Sequence, residues 1–555
     1  MILTQRLFPV SPPETGSMNL LRNMLTVSSL TMLSRVMGFV RDVLIAQRLG
    51  TGLIADAFWV AFRFPNLFRR FFAEGAFNSA FVPLYAKKLE GEGVEAAREF
   101  ASEAYSGLTF ILTVFSIIAM VFMPWIIILT AAGFIIPAGD HPSFAIGEAF
   151  KLFFAGATTP KYEMAVEFTR ICFPFLLFMS LVALFSGILN SVHRFVAASA
   201  APILLNLSLV IYPMLTWHLY PNPGYALVWS VTIGGVLQFL LLVWGVRKQG
   251  LMPRLTWPRW TPGMRRLVIL GIPGIIAGGI TQINILVGTM IATFSPGANS
   301  MLSYADRIYQ LPLGLIGVAI GVVLLPDISR RLRAGDEAGA HWTQNRALEM
   351  SMLLTLPAAV AILIIPGEIV RVLYMRGAFT ASDALGTAQC LFWYGAGLPA
   401  FVLIKVFQAP FFAREDTATP MRYAAINTAI NIAGSLIFFN IVGFQAIAAA
   451  TSVGSTVNAA LLIWRLHKLG GIKLDERIKR RLPRILLASL LMGVVLFGLA
   501  KVLAPFFAAG FVVKFAALAA ITLVGTFAYA AFVLLVGAAN LKDVTGALRR
   551  PKRAD

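Results

Sequence analysis

Cysteine is nearly absent: Cys172 and Cys390 are the only two in 555 residues, and both sit in apolar stretches, which excludes a disulfide framework. Histidine is almost as scarce. The five (His141, His193, His218, His341, His467) are scattered without the spacing of metal ligands. No Walker A sequence, no clustered His or Cys and no catalytic carboxylate pair stands out, so neither a self-powered pump nor an enzyme is expected, and no metal or cofactor. Charge is thin as well, at 13% of residues against about 25% in soluble domains. Residues 1–17 lack the apolar core of a signal peptide and read as an extension ahead of a second start at Met18. The first apolar helix is therefore expected to be a retained span.

What is present is apolar. Hydrophobic residues make up 58% of the chain and the mean hydropathy is +0.78, the composition of a polytopic membrane protein. About 20 apolar residues cross a bilayer. On that measure spans are expected near 22–48, 52–86 (long and interrupted), 100–131, 164–192, 197–217, 224–246, 266–293, 300–329, 344–366, 385–413, 417–440, 444–466, 482–505 and 511–539, fourteen in all. The net charge of +20 invites a nucleic-acid reading, but the cations lie in short loops between spans, where they orient the protein instead. One alternate set of loops holds most of the Lys and Arg, while 218–223, 294–299 and 441–443 hold none. Arg48, Lys151, Lys161, Arg371 and Arg376 are the main exceptions on that poor side. Both termini are then expected in the cytoplasm, which requires an even number of spans.

The chain also repeats itself in parallel. Pro83-Leu-Tyr-Ala-Lys-Lys-Leu89 matches Pro326-Asp-Ile-Ser-Arg-Arg-Leu332, and Leu129-Thr-Ala-Ala-Gly133 matches Leu373-Tyr-Met-Arg-Gly377. Arg194, Pro202 and Asn206 match Arg414, Pro420 and Asn427, with the offset shortened by an extra loop near 134–162. The expected fold is an all-α polytopic membrane protein of 14 transmembrane helices, with two parallel-repeat six-helix halves around a central cavity and two extra C-terminal helices. The halves are an N-lobe at 18–250 and a C-lobe at 262–470, followed by 480–540 and a basic cytoplasmic tail at 541–555. Parallel repeats of this kind belong to transporters, whose substrate site lies between halves that alternate in access.

Arginines occupy the apolar spans: Arg35, Arg41, Arg63, Arg69, Arg70 and Arg307. Each costs roughly 2.5–3.5 kcal/mol at the bilayer centre unless it faces a water-filled cavity or meets an anion. Ser34-Arg-Val-Met-Gly38-Phe-Val-Arg41-Asp42 places Arg35, Gly38, Arg41 and Asp42 on one helix face. Two readings stand: an anion-binding stripe in which Asp42 orients an arginine, or Arg41 and Asp42 snorkelling from a helix end. Asp56, Arg69, Glu74 and Gly75 lie on the span interrupted at Pro65, the kind of broken helix that lines a cavity or bends as a gate. Arg70 and Glu74 are also spaced to pair with each other. Arg307 follows Tyr304-Ala-Asp306 at the matching place in the second half. Guanidinium groups bind phosphate oxygens two at a time and never lose charge, so a pyrophosphate suits this set and an organic cation does not.

Ser34-Arg-Val-Met-Gly-Phe-Val-Arg-Asp42, Asp56-Ala-Phe, Pro65-Asn-Leu-Phe-Arg-Arg70, Ala73-Glu-Gly-Ala-Phe77 and Tyr304-Ala-Asp-Arg307 closely resemble the MurJ (MviN) family. These are lipid II flippases of the multidrug/oligosaccharidyl-lipid/polysaccharide exporter superfamily. The resemblance implies export of the undecaprenyl-pyrophosphate-linked peptidoglycan precursor, lipid II, to the outer leaflet of a bacterial inner membrane. Its implied partners are lipid II, membrane lipids and cell-wall synthesis machinery, with a lipid-tail groove from the two extra helices. It implies substrate-binding roles for Arg35, Arg41, Asp42, Arg69 and Arg307, and gate or structural roles for Ser34, Gly38, Asp56, Glu74 and Gly75. Gln310 stands where some relatives carry a glutamate. The energy source stays open between Na⁺, H⁺ and the membrane potential. The alternatives are a flippase for another polyprenyl-pyrophosphate glycan, a cation/drug antiporter of the same superfamily, and a membrane scaffold for cell-wall enzymes.

Overall fold

The computed structural model describes residues 16–69, 76–137 and 144–539. Most of the expected extension 1–17, the candidates Glu74 and Gly75 with neighbouring Arg70, and the basic tail 541–555 lie outside the described residues. All regular structure among the described residues is helical. The first half runs through α1 (Gly16–Leu49), α2 (Leu53–Arg69), α3 (Ala76–Gly91), α4 (Val94–Val121), α5 (Met123–Thr130), α6 (Ile146–Phe154), α7 (Pro160–Cys172), α8 (Phe175–Ser191), α9 (Phe195–Thr216) and α10 (Pro223–Lys248). The second runs through α11 (Pro262–Ala292), α12 (Ala298–Arg333), α13 (Glu337–Ile364), α14 (Pro366–Tyr374), α15 (Ala381–Ala413), α16 (Ala418–Val442) and α17 (Gln445–Lys468), and is followed by α18 (Glu476–Val502) and α19 (Phe511–Leu535).

Every apolar segment expected to span falls on one of these helices or on a broken pair. Among the described residues, ten helices are long and apolar enough to cross a membrane. The remaining expected spans fall on α1, on α2 with α3, on α11 and on α12. Two segments expected as single spans are broken. Pro124 lies in the first turn of α5, and Pro174 separates α7 from α8; proline has no N–H to continue a helical ladder. The stretch 134–162, expected as a loop, contains α6, whose Phe153 ring packs edge-on against Trp125 at 4.8 Å. Helix starts follow side-chain chemistry. Asn222, Asp336 and Asp475 each accept a backbone N–H of the helix they open, and Thr380 with Asp383 forms a capping box at α15.

The duplication is visible in the packing. Helix α8 packs on α3 and α10, as α15 packs on α12 and α17; α9 pairs with α10 as α16 pairs with α17. Each sequence match falls on equivalent elements: the Pro83 and Pro326 motifs end α3 and α12, and Gly133 and Gly377 follow the short helices α5 and α14. Without lipid-driven hydrophobic gain, membrane helices associate through close contact at small residues. Gly234 on α10 and Gly454 on α17 do this at matching places. An added Cβ would come within 2.7 Å of the Leu205 side chain in one case and 2.3 Å of Asn427 Oδ1 in the other.

By compactness the chain divides into two units, one of 1–41, 65–118 and 171–275 and one of 42–64, 119–170 and 276–555. The first contains a ring stack in which Phe81 lies 5.6 Å from Phe100 and 5.5 Å from Tyr85. In the second, Leu324 and Ile328 of α12, Val406 and Phe407 of α15, and Leu462 of α17 form a buried cluster. There α18 and α19 are fixed by Met492, Leu496 and Ile521 against Val360 of α13. Glu349 of α13 also receives Arg346, Arg477 and Arg481.

Candidate functional site

The motif on α1 serves two neighbours. Within the first unit, Ser34, Gly38 and Arg41 converge on Asn206 of α9. Arg41 Nη1 donates to Asn206 Oδ1 at 2.9 Å, and Asn206 Nδ2 donates to the Ser34 carbonyl at 2.9 Å. A Cβ at Gly38 would lie 3.5 Å from the same amide, so the glycine leaves room for it. Arg41 is 4% exposed and Asp42 1%, so neither snorkels. Within the second unit, Asp42 accepts a charge-assisted hydrogen bond from Nε of Arg307 on α12. The arginine that meets Asp42 in this contact is Arg307, on another helix.

Arg35, expected on the same stripe, is exposed. Seven residues separate it from Asp42, nearly two whole turns, so the two point in almost the same direction about 10 Å apart along the axis. The face is covered at Asp42 and uncovered at Arg35. The Arg69 side chain, with Glu74 and Gly75, lies outside the described residues. Gln310 donates through its amide to the Asp306 carboxylate one turn earlier on α12.

Asp56 is fully buried and ties α2 to the first turn of α12. Its Oδ1 accepts from Ser300 N at 3.0 Å and Ser300 Oγ at 2.8 Å; its Oδ2 accepts from Gly297 N at 2.8 Å and Lys161 Nζ at 2.7 Å. Gly297 opens α12 with φ +74° and has no side chain to cap it, so Asp56 caps that helix from another one. Nearby on α2, Arg63 donates to Thr289 at 2.6 Å and Ser303 at 2.7 Å. Thr51 bonds Asp383 at 2.5 Å, and Tyr304 donates to the Gly50 carbonyl at 3.1 Å.

Two glycines complete this polar seam in reciprocal fashion. Gly377, after α14, lies so close to the end of α1 that a Cβ would come within 2.2 Å of the Gln47 carbonyl oxygen, and Ala378 N donates to that oxygen at 2.8 Å. Gly133, after α5, meets the end of α11: its N–H donates to Thr293 Oγ1 at 3.0 Å, and a Cβ would come within 2.5 Å of Phe294 N. Each half's glycine thus grips the end of the other half's first helix. The charge count of the loops places this seam at the end expected to face away from the cytoplasm.

Several participants were not singled out in the sequence as functional. Asn206, Gly133 and Gly377 stood only as repeat markers, Gly297, Ser300, Thr51 and Asp383 carried no signal, and Lys161 stood only as a cation in a loop set poor in them. That last oddity was a usable signal. Chemically the arrangement offers fixed guanidinium groups with hydrogen-bonding partners and a carboxylate-centred clasp; it suits recognition of an anion and motion of helices.

A family model described as "Lipid II flippase MurJ" matches residues 45–518. "Probable lipid II flippase MurJ" of Rhizobium tropici is 40% identical over 542 residues, covering 97% of this chain and 98% of its own. Among solved structures, "Lipid II flippase MurJ, inward closed conformation" superposes with a TM-score of 0.73 at 26% identity, covering 95% of this chain and 100% of that one. An inward-facing multidrug resistance MATE family transporter of the MOP superfamily shares the fold, with a TM-score of 0.61 at 14% identity over 81% of this chain and 99% of that one.

Proposed function

Because this chain belongs to the MurJ family, we propose that it moves lipid II from the inner to the outer leaflet of a bacterial inner membrane by alternating access, without enzymatic chemistry. The observation that carries the mechanism is the contrast along one face of α1. Arg35 is uncovered, while two turns away Asp42 is buried against Arg307 beside the Asp56 seam. An exposed guanidinium two turns from a buried ion pair gives one helix both a charge that an arriving anion can reach and a fixed polar anchor.

In this reading Arg35, Arg41, Arg69 and Arg307 receive the pyrophosphate. Asn206 fixes the aim of Arg41 and Asp42 that of Arg307, so the donors are placed before the anion arrives. The seam of Asp56, Gly133 and Gly377 is the outer gate. Helices α18 and α19 take the polyprenyl tail. The membrane potential favours outward movement of the anionic headgroup by about 2.3 kcal/mol per charge per 100 mV.

The test is complementation of a depleted strain, coupled to an assay of lipid II exposure on the outer leaflet. Loss of both with Arg35→Ala, in protein that is made and inserted, is the expected result. Full exposure of lipid II with Arg35, Arg41 and Arg307 each changed to alanine removes the proposal.

A further inference from the structure

We propose that Lys161 is a positioning residue for the outer gate, which keeps the Asp56 carboxylate partnered after the gate parts. The inference rests on the alternating-access reading above. Among the described residues, four donors reach Asp56. Gly297 N, Ser300 N and Ser300 Oγ belong to the first turn of α12, in the second half of the duplicated chain. The fourth, Lys161 Nζ at 2.7 Å, belongs to the first turn of α7, in the same half as Asp56 itself. Lys161 also lies over the Phe134 ring, 4.2 Å from its centroid, so the ammonium is held by its own half on a second side.

The two kinds of donor have opposite consequences when the halves separate. The α12 donors are made only in the closed gate and leave together. Lys161 remains. A carboxylate that loses its donors while still largely shielded from water is costly, and an opposite charge moving with it offsets that cost. The Ser300 hydroxyl therefore favours the closed state, whereas Lys161 lowers the cost of reaching the open one. Removing Lys161 leaves three donors in the closed state and none of these four in the open state. The substitution should hold the gate shut, although it deletes a contact seen in the closed gate.

The experiment labels Ala298→Cys, a fully buried position on the first turn of α12, with a membrane-impermeant maleimide in intact cells, with Cys172 and Cys390 both changed to serine. Ser300→Ala should raise labelling several-fold and Lys161→Gln should lower it several-fold. Lys161→Arg should restore it. Adding Asp56→Asn to Lys161→Gln should return labelling towards the parent level, because no charge is left to compensate; a merely structural lysine would not be rescued this way. Raised or unchanged labelling in Lys161→Gln, or no recovery in the double variant, overturns the assignment of Lys161 alone. If Ser300→Ala also leaves labelling unchanged, the outer-gate reading falls, and the proposal with it.

Discussion

Arg307 donates through Nε to Asp42, a contact that uses one donor of a planar group that carries five. One cation can then hold a helix neighbour and a phosphate together. Lysine cannot, because its ammonium is a point charge without a fixed fork. Arg307→Ala is expected to abolish complementation and Arg307→Lys to restore only part of it, measured at matched protein levels in a depleted strain.

Asn206 is predicted to be as necessary as the arginine it holds. Asn206→Leu leaves the buried Arg41 guanidinium without that acceptor, and truncated bonds to charged groups cost about 1.5–3 kcal/mol. A lowered melting temperature and loss of complementation should follow. Asn206→Asp, which keeps the acceptor, should retain more of both.

The glycine seats at the outer end are predicted to set how long the gate stays closed. Gly377→Ala meets a backbone oxygen and a left-handed φ of +61°, a combination worth about 1–3 kcal/mol of strain. Gly133→Ala meets the backbone of Thr293 and Phe294, just past α11, without that dihedral cost. Both should raise maleimide labelling from outside, Gly377→Ala more strongly. Equal labelling to the parent protein would show that these contacts do not close the gate.

His341, at the start of α13, supplies a pH dependence. Burial, then the like charges of Lys473 and Arg414, hold its imidazole below the ordinary histidine value, with Glu337 opposing. A folded-state value below the unfolded one means the unfolded chain takes up the proton first. The contribution of neutral His341 is therefore complete above about pH 6.5 and is lost as pH falls below it. Melting temperatures between about pH 7.5 and pH 5 should fall less steeply in His341→Gln.

Much of this architecture could be read from the chain because a bilayer imposes a coarse rule. Long apolar runs must be helices, and their ends are marked by charge. The helix breaks before Pro124 and Pro174 and the helical turn at 146–154 lay below that resolution, since a short break or a short amphipathic helix barely alters the hydropathy of a span. Candidate arginines were legible for the same reason, being costly where they stand. Their partners were not. Asn206 lies 165 residues from Arg41, and Arg307 lies 265 from Asp42. Only the packing of α1 with α9 and α12 decides which polar side chain meets which.

The reciprocal seats of Gly133 and Gly377 also speak to ancestry. If a single six-helix polypeptide preceded the duplication, it would have met a second copy of itself through one self-complementary contact, used twice about a two-fold axis. Fusion then released the two copies from identity. Their divergence is already legible in the bonds: one seat is sealed by a threonine hydroxyl, the other by a main-chain carbonyl.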